Sequence, residues 1–479
     1  MVLNHLYFLV AELVKKAEKK RGRGGRRAGG EPKRGMAPAG GHPAQMPSTR
    51  TARLRLLPTT PQERKLHKLA DAAAKAWNEV NYLRRQQFFA KQGVDLRGTY
   101  REVYRKYRDV LKVNVGQVLN KNNEAWLSFF ALLAKLNAGE LHMKKVSPPG
   151  YWKDRLLGKR VKRLIVRSDR YYVEPINDGE GYIVLKDFGM RVRYAGVIKW
   201  SGKQGRLEIV YERGRWFAYL TVEVGKPAKP RQYVRGTYDR IQIRQPRGNK
   251  RAFIDVGISN LFAVVIEGSD KAILIKGTPL KAEYFWWKRQ KALYQSVRDV
   301  RRNLGLPWAE WHRRYLRALW KMRERLRHYR NTAVRGLAEM LWESGVSEVY
   351  VGYPEDIAHD QQSEYVVSVW GYRRLVQRLA EVLAEYGIKL YVVDEHSTSR
   401  ACSICGEIHE NGRVYRGLYV CRKFGVALNA DVNAARNIAA NLGFETPAPR
   451  RIETYYPTSN GLTPKRGNGR DPHSAAPAL

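Results

Sequence analysis

The sequence predicts a multidomain α+β protein, and three observations support this class. Short alternating strand patterns are interrupted near the start by a long helical stretch, and strands and helices then follow one another in an α/β order. The chain has 479 residues, which is too long for one ordinary core. Hydrophobic residues make up 43% of it, enough to fill several cores. No apolar run approaches the length of a membrane span, so no membrane partner is expected.

The first part of the folded region is predicted to be a small antiparallel barrel or sandwich split by helices. Residues 51–58 alternate apolar and basic side chains, which is a strand pattern. Thr60-Pro61 then opens a helical insert over 59–140, with Thr as cap and Pro in the first turn. Short strand patterns separated by Gly- and Asp-bearing turns return over 141–248.

The second part, 249–396 with 428–444, is predicted to be an RNase H-like core. It begins with a hairpin and a third strand, continues with two helices, and then alternates strand, helix and strand before a Cys-bearing insert and a final helix. The predicted elements after the two helices are a strand over 347–352, a helix over 369–386, a strand over 388–393 and the last helix over 431–441. This element order is that of an RNase H-like nuclease.

Both ends of the chain are predicted to be disordered tails. Residues 1–50 are rich in Gly, Arg, Lys, Pro and Ala, and patterned sequence begins only after Met46, so a later start at Met36 or Met46 stays open. Residues 445–479 are rich in Pro, Gly and Arg. Such compositions bury too little apolar surface to form a core.

The charge of the chain predicts a nucleic-acid partner. Lys and Arg total 88 against 45 acidic residues, for a net charge of +43. A folded body this basic repels itself unless a polyanion neutralises it. In 141–235, aromatic residues alternate with cations, a mixture that suits single strands and structured RNA. The aromatic residues are Tyr151, Trp152, Tyr171, Tyr172, Tyr194, Trp200 and Trp216. There are two simpler alternatives. The aromatic rings form the core of the barrel, or the chain is a ribosome- or chromatin-associated protein without catalytic activity.

Two aspartates lie where the predicted core brings strand and helix together. Asp255 lies in an otherwise apolar strand, and Asp431 starts the last helix, which packs beside that strand in this topology. A buried carboxylate is costly unless it is paired or binds a metal. A structural Asp near a turn and a helix N-cap are the simpler interpretations. Together the two residues predict metal ligation and two-metal cleavage of a phosphodiester.

Two-metal chemistry needs a third carboxylate near the end of strand 347–352. Glu355 is the nearest acidic residue in sequence. We therefore expect Asp255, Glu355 and Asp431 to be catalytic and to bind Mg²⁺ or Mn²⁺.

The three cysteines of the chain predict a zinc site rather than disulfides. So few cysteines argue for a reducing compartment, and a cytoplasmic location is therefore expected. Cys402 and Cys405 form one zinc knuckle and Cys421 begins a second, but Phe424 stands where the fourth ligand is expected. His409 is the alternative fourth ligand. A ribbon that has lost its zinc, with Phe424 packed in the place of the metal, is the other interpretation.

Several motifs together resemble a known family across 51–442. These are the opening strand with Ala76-Trp77-Asn78, Phe253-Ile254-Asp255-Val256-Gly257, Thr398-Ser399 ahead of Cys402 and Cys405, and Asp431-Val432-Asn433-Ala434-Ala435-Arg436-Asn437-Ile438. The chain resembles TnpB, the transposon-encoded RNA-guided DNA nuclease also known as OrfB transposase, and the related miniature type V CRISPR effectors.

The resemblance implies a wedge β-barrel with a helical recognition insert, followed by a RuvC domain. The RuvC domain would carry a zinc-ribbon insert at 397–427. The partners implied are a guide RNA and a target DNA, and the implied activity is magnesium-dependent RuvC cleavage. Asp255 and Asp431 fall on the first and third RuvC carboxylates. No oligomeric state is implied.

Two departures from the family pattern define the alternatives. Glu355 comes three residues later than the Glu that usually follows the fourth RuvC strand, and Phe424 replaces a ribbon ligand. They favour, as an alternative, a nuclease-impaired protein that binds guide RNA and target DNA without cutting. A basic RNA-binding protein without guided activity is a further alternative.

Overall fold

The computed structural model of the chain describes residues 42–43, 49–141, 145–153, 158–200, 202–223, 244–353, 371–394, 398–415 and 417–465. The chain divides into two compact units, the first formed by 1–33 with 48–241 and the second by 34–47 with 242–479. None of the helices in these described ranges has an apolar stretch of the length that a bilayer requires.

Strands and helices alternate along the chain much as the sequence predicts. The strands are β1 (His42–Pro43), β2 (Thr49–Leu57), β3 (Arg163–Val166), β4 (Tyr171–Asn177), β5 (Glu180–Leu185), β6 (Met190–Ala195), β7 (Lys203–Glu212), β8 (Arg215–Glu223), β9 (Lys250–Asp255), β10 (Asn260–Ile266), β11 (Lys271–Lys276), β12 (Val346–Tyr353), β13 (Lys389–Asp394), β14 (Leu418–Cys421), β15 (Val426–Asn429), β16 (Arg451–Thr458) and β17 (Gly461–Pro464). The helices are α1 (Thr60–Phe89), α2 (Leu96–Leu111), α3 (Val115–Asn137), α4 (Thr278–Asn303), α5 (Ala309–Glu343), α6 (Tyr372–Leu383) and α7 (Ala430–Asn441).

The first unit is built on an antiparallel sheet that does not close, so the predicted closed barrel is wrong. Its strand order is β3-β7-β8-β2-β6-β5-β4, and no backbone pairing joins β3 to β4 in the described residues. The sheet nevertheless curls, because only four residues connect these two edge strands.

Side-chain hydrogen bonds join β7 to β4 and to the loop between the two edge strands. Gln204 Nε2 on β7 donates to the carbonyl oxygens of Ser168, at 2.9 Å, and Tyr171, at 3.2 Å. The Tyr171 hydroxyl donates to the carbonyl of Gly205 at 2.8 Å. The two ends of the sheet are thus linked through side chains rather than through backbone pairing of β3 with β4.

The helical insert predicted over 59–140 is present and is held by its own polar interior. The backbone N–H of Thr59 donates to Gln62 Oε1 at 3.0 Å in a capping box, so the cap is Thr59 rather than Thr60. Arg84 is fully buried and donates to Asn122 Oδ1 at 2.6 Å and to Thr99 Oγ1 at 3.0 Å. Burial lowers the pKa of Arg84 to about 10.

The second unit has a mixed sheet with the strand order β1-β13-β12-β9-β10-β11-β16-β17. β10 is antiparallel to both of its neighbours, β9 and β11, whereas β12 runs parallel to β9 and β13 runs parallel to β12. The element order predicted for the core, three strands, two helices and then alternating strand and helix, is therefore observed.

The sheet of the second unit has helices on both faces. On one face, α5 and α6 cover a cluster that includes Ile254 and Val264. On the other face, α7 covers a cluster that includes Phe253, Ala263 and Tyr350. Successive residues of β9 thus face opposite layers, as the strand period requires.

Parts of both predicted tails belong to this sheet, so the disorder prediction is wrong for them. β16 pairs parallel to β11, β17 pairs antiparallel to β16, and the side chain of Leu462 packs over Gly336 of α5. In the other predicted tail, β1 pairs antiparallel to β13. Residues 49–50 belong to β2 of the first unit, and residues 1–41, 44–48 and 466–479 lie outside the described residues.

Candidate active site and metal centre

Asp255 ends the central strand of the second unit and lies on the face that α7 covers. β9 has neighbours on both sides, and Asp255 pairs with Ala263 on β10. Because side chains alternate along a strand, Asp255 shares the face of Phe253, which packs under α7. Its side chain is half-buried. The Gly257 N–H donates to the Asn260 carbonyl at 3.0 Å, so Gly257 serves the tight turn that follows.

Asp431 lies in the first turn of α7 and is not the helix cap. Asn429 is the cap, because its Oδ1 accepts from the backbone N–H groups of Asp431 and Val432 at 3.1 Å each. The carboxylate of Asp431 is therefore available for other contacts. Its side chain is only 14% exposed.

Asn260 and Arg413 hold the Asp431 carboxylate, and neither was predicted from the sequence. Asn260 Nδ2 donates to Asp431 Oδ2 at 2.6 Å, and Arg413 Nη2 donates to Oδ1 at 3.1 Å. Asn260 opens β10 five residues after Asp255, so the bond ties Asp431 to the hairpin that begins at Asp255. Neither residue is part of a motif that the sequence displays. Only the position of Asn260 at the start of a strand could have indicated a role for this residue.

The position expected for the third carboxylate lies outside the described residues. β12 ends at Tyr353, two residues before Glu355. Val351 of β12 pairs with Ile254, so β12 ends at the same sheet edge as Asp255. Asp394 also reaches this edge, at the end of β13. It alternates with Val393, which packs on the α7 side, and so lies on the opposite face from Asp255.

The donors at this edge fit a hard divalent cation. Besides two carboxylates, Asn260 is 4% exposed, and its Oδ1 has no hydrogen-bond partner within the described part of the chain. A buried amide oxygen without a partner costs free energy that a cation or its water ligand would recover. Oxygen atoms are the ligands that Mg²⁺ and Mn²⁺ prefer. The residues present therefore fit the metal that two-metal chemistry requires.

A second group of ligands lies in the insert between β13 and α7. Cys402, Cys405, His409 and Cys421 bring their ligand atoms within 4.8 Å of one another. Cys405 Sγ lies 3.1 Å from His409 Nε2 and 3.8 Å from Cys421 Sγ. Two sulfurs bound to one tetrahedral zinc, each about 2.3 Å from it, lie about 3.8 Å apart. The Cys₃His group thus has the composition and spacing of a structural zinc site.

The turns around the first and last cysteines repeat one geometry. The Gly406 N–H donates to the Cys402 carbonyl at 2.8 Å, and the Gly425 N–H donates to the Cys421 carbonyl at 2.8 Å. Phe424 occupies the place that Cys405 has in the first turn, and it is 58% exposed. The interpretation in which Phe424 packs in place of the metal is therefore wrong, and His409 is the residue that reaches the cysteines.

Two of the thiols differ in acidity. Burial raises the pKa of Cys402 to about 11. Burial acts in the same direction on Cys421, but hydrogen bonds from the Phe424 backbone and from His409 outweigh it and lower that pKa to about 7. Because the thiolate is the ligand, zinc binding would release the proton that Cys402 holds at neutral pH.

The basic, aromatic segment of the first unit divides between core and surface. Tyr171, Tyr194 and Trp216 are buried, so the core interpretation holds for them. Tyr151 is 43% exposed, and the Arg85 guanidinium lies 5.6 Å from its ring centroid. Half-buried rings are Trp152, Tyr172 and Trp200. Part of the segment's rings thus remains at the surface beside cations.

Three family models match the chain. They are a Cas12f1-like TNB domain at residues 372–438, a probable transposase of the OrfB type at 220–358, and a helix-turn-helix domain of OrfB proteins at 46–88. In this structure the described residues of the last range form β2 and most of α1 rather than two short helices.

Individual relatives agree with these models. The TnpB-like protein ORF457 of Acidianus two-tailed virus is 43% identical over 430 residues, covering 87% of this chain and 92% of that protein. The CRISPR-associated endodeoxyribonuclease Cas12f1 of Sulfoacidibacillus thermotolerans is 26% identical over 218 residues, covering 44% of this chain and 50% of that protein. A solved Cas12f1–sgRNA–target DNA complex matches with a TM-score of 0.48 and 15% identity, over 78% of this chain and 81% of that chain. The similarity to the viral protein extends over nearly the whole chain, and the chain therefore belongs to the TnpB-like family.

Proposed function

We propose that the protein is an RNA-guided DNA endonuclease of transposon origin that cuts phosphodiester bonds with divalent metal ions. The observation that carries the proposal is the fixation of Asp431 by Asn260, on the hairpin that begins at Asp255. Membership of the TnpB-like family, and similarity to a Cas12f1 named as an endodeoxyribonuclease, support DNA as the substrate.

The catalytic ligands would be Asp255 and Asp431, with Glu355 as the third carboxylate and the fold as a RuvC-type domain. Mg²⁺ or Mn²⁺ held by these carboxylates would supply charge neutralisation on the phosphate and activation of the attacking water. In this chain Asn260 orients the Asp431 carboxylate toward the sheet edge. Arg413 neutralises that carboxylate, and its side chain is 43% exposed, so it is accessible to a phosphate at the same edge.

Guide RNA is proposed as a partner on the basis of charge. The net charge is +43, and rings such as Tyr151 are exposed beside cations in the first unit. Cations contact phosphates and exposed rings stack on unpaired bases. Zinc is proposed as a structural ion at Cys402, Cys405, His409 and Cys421.

One alternative has a specific observation in its favour. Arg413 already pairs with Asp431, and Glu355 comes late after β12. Both features also suit a protein that binds guide RNA and target DNA without cutting. The plain RNA-binding alternative predicts a random mixture of bound RNA rather than a discrete species.

The test is cleavage of a guide-matched plasmid in magnesium, with target binding measured in parallel. Sequencing the RNA that copurifies supplies the guide and checks that it is discrete. Wild type should cut, and Asp255→Ala and Glu355→Ala should each bind target and fail to cut. Asp394→Ala is the matched control and should cut, because Asp394 lies on the opposite sheet face. Wild type that binds and never cuts would favour the impaired alternative, and cutting by Glu355→Ala would identify another third carboxylate, with Asp356, Asp360 and Glu364 next to test.

A further inference from the structure

The second unit has a cleft between α4 and α5 that the proposed catalytic residues and the zinc ligands do not use. Its volume is about 810 Å³, large enough for a nucleotide. Trp286 and Trp287 from α4 line it, opposite Trp320 and Tyr329 from α5. Four large rings thus face one open cleft.

One of these rings is presented to solvent. Trp286 is 54% exposed, and its ring centroid lies 4.3 Å from that of Trp287, with the two planes at 89°. Trp287 is held in place because its Nε1 donates to Glu283 Oε2 at 2.9 Å. A tryptophan supported by a fixed, perpendicular neighbour leaves a flat apolar face available for stacking.

Cations surround the rings. Lys321 Nζ lies 5.6 Å from the Trp287 ring centroid, and the Arg325 guanidinium lies 5.2 Å from that of Tyr329. The two helices with their connection, residues 278–343, contain 16 basic and six acidic residues. The surface around the cleft therefore suits a polyanion that also carries flat rings, as a nucleic acid does. An acidic peptide would supply negative charge but no base to stack on the tryptophan rings.

Two carboxylates also line the cleft, which favours RNA. Glu283 and Glu324 lie among these cations. A carboxylate repels phosphate but accepts a hydrogen bond from a hydroxyl group, and the ribose 2′-OH distinguishes RNA from DNA. Glu283 is positioned by Arg325, whose Nε donates to its Oε1 at 3.0 Å.

We propose that this cleft binds an unpaired nucleotide of RNA, with the base stacked on Trp286 and the phosphate near Lys321. The inference rests on the proposed function in one respect, since it takes RNA to be a partner of the chain. It adds a specific single-stranded contact on the α4–α5 hairpin.

The test uses a fluorescent 12-nucleotide oligoadenylate RNA and the DNA of the same sequence, with the full-length protein freed of bound RNA. Trp286→Ala should weaken RNA binding by about tenfold, because stacking on one aromatic ring contributes on that order. Its salt dependence should be unchanged. Lys321→Ala should instead lower the slope of log affinity against log salt by about 0.7, the value for one phosphate contact.

Leu293→Ala is the matched control, since Leu293 is also 54% exposed on α4 but does not line the cleft. It should bind RNA like wild type, and Trp286→Phe should retain most of the affinity. Ultraviolet cross-linking should attach the RNA to the peptide that contains Trp286.

Equal RNA affinity of the Trp286→Ala and Leu293→Ala variants would overturn the cleft proposal. DNA binding as tightly as RNA would overturn the assignment to RNA. These outcomes are separable from the proposed function. If Trp286→Ala loses 12-mer binding while wild type copurifies with a random mixture of RNA, the cleft proposal stands and guided activity is refuted. Intact guided cleavage with no effect of Trp286→Ala would refute the cleft alone.

Discussion

Replacing His409 by alanine removes one of the four residues of the Cys₃His group and should weaken the zinc binding proposed for it. The other three ligands are fixed: Cys402 and Cys421 are fully buried, and Cys405 Sγ lies 3.8 Å from Cys421 Sγ. Three thiols without the imidazole leave the fourth zinc position to water. A structural site closes all four positions with protein ligands, so the affinity should fall.

The size of the loss and its repair both follow from the geometry. Structural zinc sites bind with about 10–16 kcal/mol, so one ligand in four corresponds to roughly 3 kcal/mol, or about 100-fold in affinity. Phe424 occupies the second turn at the place of Cys405 in the first, with matching Gly406 and Gly425 hydrogen bonds of 2.8 Å. Phe424→Cys in the His409→Ala background should therefore restore zinc binding.

The assay measures zinc per chain and the chelator concentration that removes half of it. Wild type should hold about one zinc, His409→Ala should lose it at about 100-fold less chelator, and the double variant should recover. Unchanged chelator resistance in His409→Ala would refute His409 as a ligand. A double variant that stays empty would refute the equivalence of the two turns.

Two further predictions concern stability. The hydrogen bond from Arg160, followed by other nearby cations, lowers the pKa of Asp71 below its usual 3.8, so the carboxylate stabilises the fold above about pH 4 and loses this effect as the pH falls below that value. Asp71→Asn should cost about 1–2 kcal/mol at pH 7 and clearly less at about pH 2 in urea unfolding, whereas Asp109→Asn, at an exposed site on α2, should change little at either pH. A Cβ on Gly336 would come within 2.3 Å of the Leu462 side chain, so Gly336→Val should destabilise the protein by about 1–3 kcal/mol in thermal unfolding, and Leu462→Ala should relieve most of that cost. A Gly336→Val penalty that persists without the Leu462 side chain would contradict the packing of β17 on α5.

Elements with a strong periodic pattern were predictable from sequence. The apolar positions of β2 and α1 repeat at two and at three to four residues, and both elements lie where the pattern places them. The third strand predicted after the hairpin is present as β11. These segments bury one regular face, so the local sequence carries most of the information that defines them.

The C-terminal hairpin was missed although the sequence carries a signal for it. β16 contains Ile452, Thr454, Tyr455 and Tyr456, which favour strands, and Ser459-Asn460 forms the hairpin turn before Gly461. Composition averaged over the whole tail concealed this pattern. The open sheet of the first unit had no local signal, because closure depends on whether edge strands 163–166 and 171–177 can pair.

The candidate active site could be predicted only in part. Asp255 and Asp431 are conspicuous because each carboxylate lies in or beside an apolar element. Asn260 and Arg413 are isolated polar residues, and the contact from Asn260 to Asp431 joins positions 171 residues apart. Sequence pattern does not encode a pairing at that separation. Glu355 stays a prediction, since it lies outside the described residues.

The most direct test of the central claim is Mn²⁺ binding to the zinc-loaded protein, followed by the loss of the free-ion electron paramagnetic resonance signal. Wild type should bind Mn²⁺ at the sheet edge that carries Asp255, where Asn260 holds Asp431, and Mg²⁺ should compete. Asp255→Asn and Asp431→Asn should each weaken this binding by at least tenfold, because a carboxylate ligand is lost in both. The matched Asp394→Asn variant should bind like wild type. Mn²⁺ binding that is the same in wild type and in both site variants would contradict a metal site built on Asp255 and Asp431.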